Sequence, residues 1–343
     1  MVSLKNDYSE TCHPRILEAL ASLGKTQYDG YSTDRICEQA RQLIREGLQC
    51  PNASVFFVSG GTQANLVVIA SLLKPFESVI CAETGHIQVH EAGAIEATGH
   101  KVHNIPSLNG KVSLEDIAQV LEEHTNVPHM VKPRLVYLSN STELGTIYQK
   151  KEVEALSEYC KSHNLYLFID GARIANALTA QDNDLTLEDL TQWVDAFTLG
   201  GTKNGGLFGE AIVFPNPTLS QDFGFHLKQR GALLAKGWVV GVQFRELFRD
   251  GLYFELASHA NRMAMRLSEA LQIKGCSFLV KPQTNQIFPV LKEPAIQTLS
   301  QKIAFYRWKK TDPQSWALRW VTSWATSENQ IKDCLRIIQS VSI

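Results

Sequence analysis

Between positions 54 and 214, hydrophobic residues form short, nearly continuous runs separated by stretches with helical spacing. Runs of this kind, rich in β-branched and aromatic residues, indicate strands that are buried on both faces. We predict strands at 54–58, 78–81, 134–138, 165–169, 196–199 and 211–214. Between them, Val153, Leu156 and Cys160 recur at i, i+3 and i+7, as in an amphipathic helix. The alternation predicts an α/β fold in three layers, with a mostly parallel sheet in the middle.

The pattern changes after about residue 245, where a long helix is predicted over 254–273 because apolar residues share one of its faces. Three strands at 276–280, 286–290 and 317–321 and a final helix ending near Ile338 follow. We therefore predict a large domain over residues 16–245 and a smaller C-terminal α/β domain over 246–343. Residues 1–15 are expected to pack with the small domain or near the active site.

The composition is that of an ordinary globular protein, with 343 residues, 44% hydrophobic and 20% charged. The formal net charge of −2 argues against a nucleic-acid partner, which favours a basic surface. Seven cysteines without a Cys-x-x-Cys pair fit free thiols in a reducing compartment. Since neither a secretory signal nor a long apolar span is visible, we expect a cytoplasmic protein without a membrane partner.

Two strand ends carry residues that suit pyridoxal phosphate (PLP). Asp170 follows the run 165–169, and Lys203 follows the run 196–199. Ligands bind at the carboxyl ends of parallel strands, and PLP needs a lysine for its Schiff base and a carboxylate for its ring nitrogen. The alternatives are an ion pair between Asp170 and Arg173 and an exposed loop position for Lys203. Without that ion pair, Arg173 is expected to be free to bind a substrate carboxylate in bidentate fashion.

A phosphate site is predicted in the segment 59–65, which follows the run 54–58 and opens a helix reaching about residue 73. The backbone N–H groups of Gly61, Thr62 and Gln63 and the positive helix start suit an anion, and the hydroxyl of Thr202 is a further candidate. A simple tight turn is the alternative. Neither a Rossmann fingerprint nor a Walker loop is present, because a third glycine and a Ser or Thr after the lysine are missing.

His86 and His90 are spaced i, i+4, which suits zinc on a helix. However, Ile87 stands where the metalloprotease motif needs Glu, and no metal site is predicted. A flat imidazole is better used by stacking on a flat cofactor ring. We assign this role to His86 and expect His90 to be a surface or packing residue.

Taken together, these motifs resemble the threonine aldolase and β-eliminating lyase family of fold type I PLP enzymes, whose architecture is aspartate-aminotransferase-like. The resemblance extends along nearly the whole chain. It is carried by residues 6–9, 30–34, 59–65, 86, 91–94, 141–146, 170–176, 200–204, 228–231 and 319–324. It implies a homodimer or homotetramer whose active sites are shared between subunits.

The resemblance also implies roles for individual residues. Lys203 corresponds to the Schiff-base lysine, Asp170 to the partner of the ring nitrogen, and His86 to the stacking residue. The substrate side comprises Arg173 and Arg319 for the α-carboxylate, Tyr31 from the partner chain, and Asn6, which stands where many relatives have Ser beside that carboxylate.

Two further positions depart from the family. Thr142 falls where some relatives carry a His proposed to handle the hydroxyl proton, so the base is unassigned, with His86 as a candidate directly or through water. Trp238 occupies the place of an arginine near the phosphate, and Lys236 or Arg230 is a candidate to compensate.

The reaction implied is retro-aldol cleavage of the Cα–Cβ bond of a β-hydroxy-α-amino acid, such as L-threonine or L-allo-threonine, to glycine and an aldehyde. One alternative is β-elimination on an aromatic or sulfur amino acid. Another, of a different class, is a non-catalytic α/β ligand-binding module. The preference for threo or allo substrates stays open.

Overall fold

The computed structural model describes residues 1–342. Its helices are α1 Pro14–Ser22, α2 Arg35–Leu48, α3 Gly61–Leu72, α4 His86–Val89, α5 Leu114–Glu123, α6 Lys150–Ser162, α7 Ile174–Leu178, α8 Leu187–Trp193, α9 Phe223–Gln229, α10 Trp238–Phe248, α11 Leu252–Ile273, α12 Glu293–Ser300 and α13 Glu328–Ser340. Short 3₁₀ helices occupy Glu96–Thr98, Pro217–Ser220 and Arg249–Gly251. Within the described residues, no helix has both the length and the apolar character that a membrane crossing requires.

The strands alternate with these helices through the first two thirds of the chain and cluster towards its end. They are β1 Val2–Ser3, β2 Ser54–Val58, β3 Glu77–Ala82, β4 Val102–Ile105, β5 Lys132–Ser139, β6 Tyr166–Asp170, β7 Ala196–Gly200, β8 Glu210–Phe214, β9 Ser277–Phe278, β10 Gln286–Ile287, β11 Pro289–Lys292, β12 Ile303–Ala304, β13 Tyr306–Asp312 and β14 Ser315–Val321.

A seven-stranded sheet in the order β2-β8-β7-β6-β5-β3-β4 forms the middle layer of the large domain. Strands β3 to β7 pair in parallel, and β8 runs antiparallel to both β2 and β7. Successive residues of a strand point to opposite faces, so Val136 and Ile169 enter one apolar core while Tyr137 and Phe168 enter the other. This confirms the predicted three-layer arrangement.

The six predicted strands of this region are present as β2, β3, β5, β6, β7 and β8, with bounds that differ by at most two residues. The predicted helix after β2 is α3, and Val153, Leu156 and Cys160 are buried on α6. The edge strand β4 was not predicted, because its sequence Val-His-Asn-Ile has no apolar run.

A second, antiparallel sheet contains β10-β14-β11-β9, with β13 also paired to β14. The predicted helices of this part are α11 and α13, and the predicted strands fall on β9, β10, β11 and β14. Sequence analysis missed β13, since Tyr-Arg-Trp-Lys-Lys-Thr-Asp is mostly exposed and lacks a buried face.

The N-terminal segment packs against this second sheet region. Val2 and Ser3 pair in parallel with Ile303 and Ala304, and the carbonyl of Leu4 accepts a hydrogen bond of 2.9 Å from the backbone N–H of Val321. Helix α11 contributes to the core of the large domain near its start and to that of the small domain from Met263 onward. The division at 245/246 stays a prediction.

Two glycines allow the ends of β6 and β7 to lie unusually close together. A Cβ at Gly171 would stand 1.8 Å from the carbonyl oxygen of Thr198, and one at Gly200 would stand 2.3 Å from that of Ala172. The N–H of Gly171 donates to the hydroxyl of Thr198 at 2.7 Å. Any side chain at these two positions would push apart the strand ends that carry Asp170 and Lys203.

We expect Leu4→Ala to destabilise the protein, because Leu4 is fully buried in the small-domain core. Removing such a side chain costs about 2 to 5 kcal/mol. Leu108, which is 96% exposed, offers a matched control, and Leu108→Ala should change stability by less than about 0.5 kcal/mol. Urea unfolding followed by tryptophan fluorescence measures both. Equal stabilities for the two variants would show that the N-terminal segment is not anchored in this core.

Candidate active site

A cleft at the carboxyl ends of β5, β6 and β7 is lined by six of the predicted site residues, namely Gly61, His86, Asp170, Arg173, Lys203 and Arg319. Its inner cavity is lined by Gly61, His86, Ser139, Ser141, Glu143, Asp170, Ala172, Arg173 and Lys203. An outer cavity of about 540 Å³ shares His86, Glu143, Arg173 and Lys203 and adds Tyr8, His90, Gln286, Tyr306, Arg307, Trp308 and Arg319. The cleft thus combines strand ends of the central sheet with side chains from the second sheet.

Asp170 is buried and held by three hydrogen bonds. Its Oδ2 accepts from the hydroxyl of Tyr137 at 2.7 Å and from Nδ2 of Asn65 at 2.8 Å, and its Oδ1 accepts from the backbone N–H of Ala172 at 2.9 Å. Burial by itself would raise the pKa of Asp170, but the nearby His86 and Lys203 and these hydrogen bonds outweigh it and lower the pKa. The carboxylate therefore stays ionised, as a partner of a protonated ring nitrogen must be. The alternative ion pair with Arg173 is not formed.

His86 stands at the start of α4 and is oriented by a buried carboxyl group. Its Nδ1 lies 2.8 Å from Oε1 of Glu91, which also accepts a 2.7 Å hydrogen bond from Asn65. Asn65 thus bridges Glu91 and Asp170. The imidazole is fixed at one nitrogen while its ring lines both cavities, a placement that suits stacking on a flat cofactor.

Three acidic side chains lie close together near His86, but they are not equally charged. Burial raises the pKa of both Glu91 and Glu143, whereas the pKa of Asp170 is lowered. Oε1 of Glu143 accepts hydrogen bonds from the hydroxyl of Ser139 at 2.6 Å and from the backbone N–H of His86 at 2.8 Å. Negative charge is therefore concentrated on Asp170.

Lys203 lines both cavities, and its ammonium group forms no hydrogen bond within the described residues. Burial and the positive charge of Arg173 lower its pKa, which increases the share of the neutral, nucleophilic amine. Glu210 is buried near Lys203 and pairs with Gly200 across the β7–β8 ladder. Burial raises the pKa of Glu210 to about 8, so this carboxyl adds little negative charge that would hold the proton on Lys203.

The start of α3, the predicted phosphate site, presents free backbone N–H groups. Within the described residues, no acceptor is hydrogen-bonded to the backbone N–H groups of Gly61, Thr62 and Gln63. The side chain of Gln63 folds back instead, and its Oε1 accepts from the N–H of Ser59 at 3.1 Å and from its hydroxyl at 2.8 Å. Free N–H groups at the start of a twelve-residue helix fit the phosphate of PLP.

The hydroxyl of Thr202 is already engaged within its own loop. It accepts a 3.0 Å hydrogen bond from the N–H of Gly209. This contact steadies the turn that carries Lys203, and a phosphate contact by Thr202 stays a prediction.

Arg173 corrects one sequence-based expectation, because its guanidinium fork is not free. Its Nε and Nη2 donate to the two carboxylate oxygens of Asp7 at 2.7 and 2.9 Å, and Asp7 also accepts from Nδ2 of Asn285 at 2.9 Å. The edge of the Arg173 guanidinium group that was predicted to bind the substrate carboxylate is therefore occupied by Asp7. Nη1 is the one guanidinium nitrogen that does not donate to Asp7. The sequence pattern offered no indication that an acid 166 positions away would pair with Arg173.

Arg319 lies on β14 and faces the outer cavity. Its Nε and Nη2 both donate to Oε1 of Gln286, at 3.2 and 2.7 Å. Burial and the charge of Arg173 lower the pKa of Arg319 to about 10, which leaves it protonated near pH 7. The two arginines thus line one cavity, and among the described residues Asp7 is the one carboxylate that pairs with either of them, an arrangement suited to a carboxylate ligand.

Asn6 and Tyr31 do not line the cleft of the single chain. Oδ1 of Asn6 accepts from the N–H of Tyr8 at 3.1 Å and from the hydroxyl of Ser9 at 2.7 Å, which shapes the turn around Asp7. Tyr31 is 47% exposed, and Nζ of Lys228 lies 4.5 Å from its ring centroid. Their predicted roles stay predictions.

The candidates for the missing phosphate arginine also lie apart from the cleft in the single chain. Trp238 packs on Tyr28 with ring centroids 5.8 Å apart. Together with Lys236 and Arg35 it lines a surface depression. Arg230 ends α9, and whether it or Lys236 compensates stays a prediction.

Several residues in or next to the cleft received no role from sequence analysis. Glu143 lies in the loop after β5, so the rule that ligands gather at strand ends could have identified it, whereas Glu91 comes after α4. Asn65 lies inside a helix, Tyr137 inside a strand, and Asp7 near the N-terminus. Their contacts with Asp170 and Arg173 depend on tertiary packing alone.

We expect Asp7→Asn to destabilise the protein at neutral pH by about 3 to 5 kcal/mol, since it leaves the buried Arg173 unpaired. Although burial opposes it, the pairing with Arg173 lowers the pKa of Asp7 from 3.8 to about 2. This stabilisation is fully present above pH 3.8 and is lost as the pH falls through about 2. The gap between wild type and variant should therefore narrow in acid.

Chemical unfolding at several pH values measures this gap. Asp182→Asn is the matched control, because the Asp182–Lys281 pair is exposed and should contribute less than about 1 kcal/mol. A pH-independent difference for Asp7→Asn would contradict the assigned ion pair.

Comparison with known proteins supports a single family. The sequence model of the β-eliminating lyase family matches residues 13–294. The chain is 32% identical over 340 residues to the low specificity L-threonine aldolase of Pseudomonas aeruginosa, covering 98% of this chain and 96% of the relative. The solved structure of threonine aldolase from Leishmania major superposes with a TM-score of 0.95 at 45% identity, covering 99% of this chain and 98% of the other.

A more distant similarity establishes the architecture independently of close relatives. Aspartate aminotransferase from Thermus thermophilus superposes with a TM-score of 0.72 at 15% identity, covering 98% of this chain and 90% of the other. The predicted fold type I architecture is therefore confirmed. By the extent of these matches, the chain belongs to the β-eliminating lyase family.

Proposed function

We propose that this protein is a PLP-dependent aldolase that cleaves a β-hydroxy-α-amino acid of the L-threonine type to glycine and an aldehyde. The observation that carries the proposal is the juxtaposition of Lys203, Asp170 and His86 in one cavity with Arg173 and Arg319 facing the adjoining one. The first group suits the cofactor, and the second suits an amino acid carboxylate. The L-threonine aldolase of Pseudomonas aeruginosa, similar over nearly its whole length, supports the substrate class.

PLP is the cofactor, and the described residues fit it. Lys203 would hold its aldehyde carbon, Asp170 would face its ring nitrogen, and the N–H groups of residues 61–63 would bind its phosphate. When bound, the cofactor supplies an electron sink for the pair released by the broken Cα–Cβ bond.

The protein's own groups decide which bond breaks. Arg319 and Nη1 of Arg173 bind the substrate carboxylate, so rotation about the bond from Cα to nitrogen is restricted. Asp170, ionised and held by Tyr137 and Asn65, keeps the ring nitrogen protonated. His86, fixed by Glu91, limits movement of the ring from one side and excludes water there.

β-Elimination on an aromatic or sulfur amino acid is the second candidate, favoured by the family description. It uses the same cofactor site, and only the product distinguishes the two. Elimination gives a keto acid and ammonia, whereas aldol cleavage gives glycine and an aldehyde.

We also propose a cytoplasmic homodimer or homotetramer in which Tyr31 completes the site of the partner chain. Three observations support this. Tyr31 is exposed, it lies outside the cleft of its own chain, and it has a positive φ of 57°. A Cβ at Gly237 would lie 2.0 Å from Oγ of the neighbouring Ser32, so close packing holds this segment in place. The seven free thiols suit a reducing compartment.

Lys203→Ala should abolish both the visible absorbance of bound cofactor and the release of aldehyde from threonine. The reason is that no other lysine lines the cleft of the described chain. An ultraviolet–visible spectrum and a coupled aldehyde assay on the same sample measure the two effects. Lys281→Ala, at an exposed side chain, is the control and should leave both unchanged. A coloured, active Lys203→Ala protein would refute the assignment.

Shared sites predict complementation between two inactive variants. Lys203→Ala and Tyr31→Ala, mixed under conditions that exchange subunits, should recover activity, because hybrid oligomers contain sites with an intact Lys203 from one chain and an intact Tyr31 from the other. The recovered activity should approach the statistical share of such sites. Absence of recovery in verified hybrids would contradict the proposed role of Tyr31.

A further inference from the structure

The proposed reaction needs a group that takes the proton from the substrate's β-hydroxyl. Neither the candidate His86 nor Thr142, which stands where some relatives carry a histidine, is well placed for it. Thr142 is fully buried, and its hydroxyl is 2.7 Å from that of Thr146. His86 has one nitrogen committed to Glu91 and lines the inner cavity as well as the outer one. Its ring therefore belongs to the cofactor's side of the cleft.

His90 was expected to be a surface or packing residue, but it lines the outer cavity and not the inner one. It follows the last turn of α4, with its ring centroid 5.5 Å from that of His86 and 6.1 Å from that of Trp308. The guanidinium carbon of Arg319 lies 5.8 Å from the Trp308 ring centroid. His90 thus stands in the same cavity as the groups suited to bind the carboxylate.

Among the described residues, neither ring nitrogen of His90 forms a hydrogen bond, whereas Nδ1 of His86 lies 2.8 Å from Oε1 of Glu91. An imidazole that stands in a substrate-sized cavity with two free nitrogens is available to a ligand.

Three other side chains that line only the outer cavity are weaker candidates for a base. Gln286 is occupied by Arg319, and an amide does not take up a proton near neutral pH. The indole of Trp308 is a donor only, and Arg307 carries a permanent charge. Among common side chains, imidazole is the group whose protonation changes near physiological pH.

We propose that His90 is the catalytic base that accepts the β-hydroxyl proton, an inference that rests on the proposed aldolase function. The O–H bond breaks, and its electron pair forms the second carbon–oxygen bond of the aldehyde. The Cα–Cβ bond breaks, and its pair stays on the glycine fragment, stabilised by the bound cofactor. The proton resides on the imidazole, which returns it to solvent after the aldehyde leaves, and Cα takes up a proton to give glycine.

The electrostatic surroundings keep His90 ready for this role. Partial removal of solvent by the cleft lowers the pKa of His90 below its usual 6.5, and the positive charges of His86, Arg319, Lys203 and Arg173 lower it further. The ring is therefore neutral at neutral pH and able to accept a proton. The same cations disfavour the imidazolium, which promotes its deprotonation after turnover.

The test compares two reactions of one loaded enzyme. Aldehyde release from threonine requires the hydroxyl proton to be removed, whereas exchange of the α-hydrogen of glycine in D₂O does not. His90→Gln should reduce the first by about 100- to 10,000-fold while the second and the cofactor spectrum remain within about threefold. His86→Gln should reduce both reactions together. His129→Gln, at an exposed position outside the cleft, should change neither.

Two results would overturn the proposal. In one, the rate of aldehyde release by His90→Gln is reduced less than tenfold. In the other, His90→Gln has a normal cofactor spectrum but loses aldehyde release and glycine exchange to the same extent. A wild-type enzyme that exchanges glycine but releases no aldehyde would instead refute the aldolase function.

A second readout needs no turnover. The imidazole of His90 in the cofactor-free protein, identified by NMR from its loss in His90→Gln, should titrate below pH 6.5. A midpoint above 7 would mean that the ring is protonated under working conditions, which contradicts its use as a base.

Discussion

The ionised carboxylate of Asp170 in a buried setting is the constraint on which the rest of the site depends. A charge in this environment is costly unless hydrogen bonds and cations compensate it. Tyr137, Asn65 and the backbone of Ala172 supply the hydrogen bonds, and His86 and Lys203 supply positive charge. The neighbouring Glu91 and Glu143 have raised pKa values, so the negative charge stays where a cationic ring nitrogen would need it.

This network also links the elements of the fold to one another. Asn65 on α3 donates to both Asp170 at the end of β6 and Glu91 after α4, so α3, Asp170 and His86 belong to one hydrogen-bonded unit. On the opposite side, the Asp7–Arg173 pair joins the N-terminal segment to the end of β6. The segment that places Leu4 in the core of the small domain therefore also supplies the ion-pair partner of Arg173, which lines the cleft.

The strand ends could be located from sequence because an apolar run such as 165–169 can be buried on both faces only in a sheet covered by helices on both sides. The polar residue that follows such a run then lies at the carboxyl end of the strand. This reasoning placed Asp170 and Lys203 at strand ends, and the structure has them at the end of β6 and in the loop after β7. The expectation that the guanidinium fork of Arg173 is free was wrong, since its partner Asp7 comes from a segment whose pattern has no chemical signal. His90 was passed over because a histidine at i+4 looks the same on a surface and in a cleft.

Local patterns along the chain determined the layered α/β class, the parallel core strands, and the lysine and acid suited to PLP. They could do so because a buried strand is a short apolar run in the sequence, and the residue at its end is the polar one that follows. Tertiary structure alone decided the charge state of each carboxyl group, the occupied fork of Arg173 and the open nitrogens of His90. These properties depend on which distant side chains come within hydrogen-bond reach and on how much solvent they displace, and neither quantity is encoded in spacing along the chain.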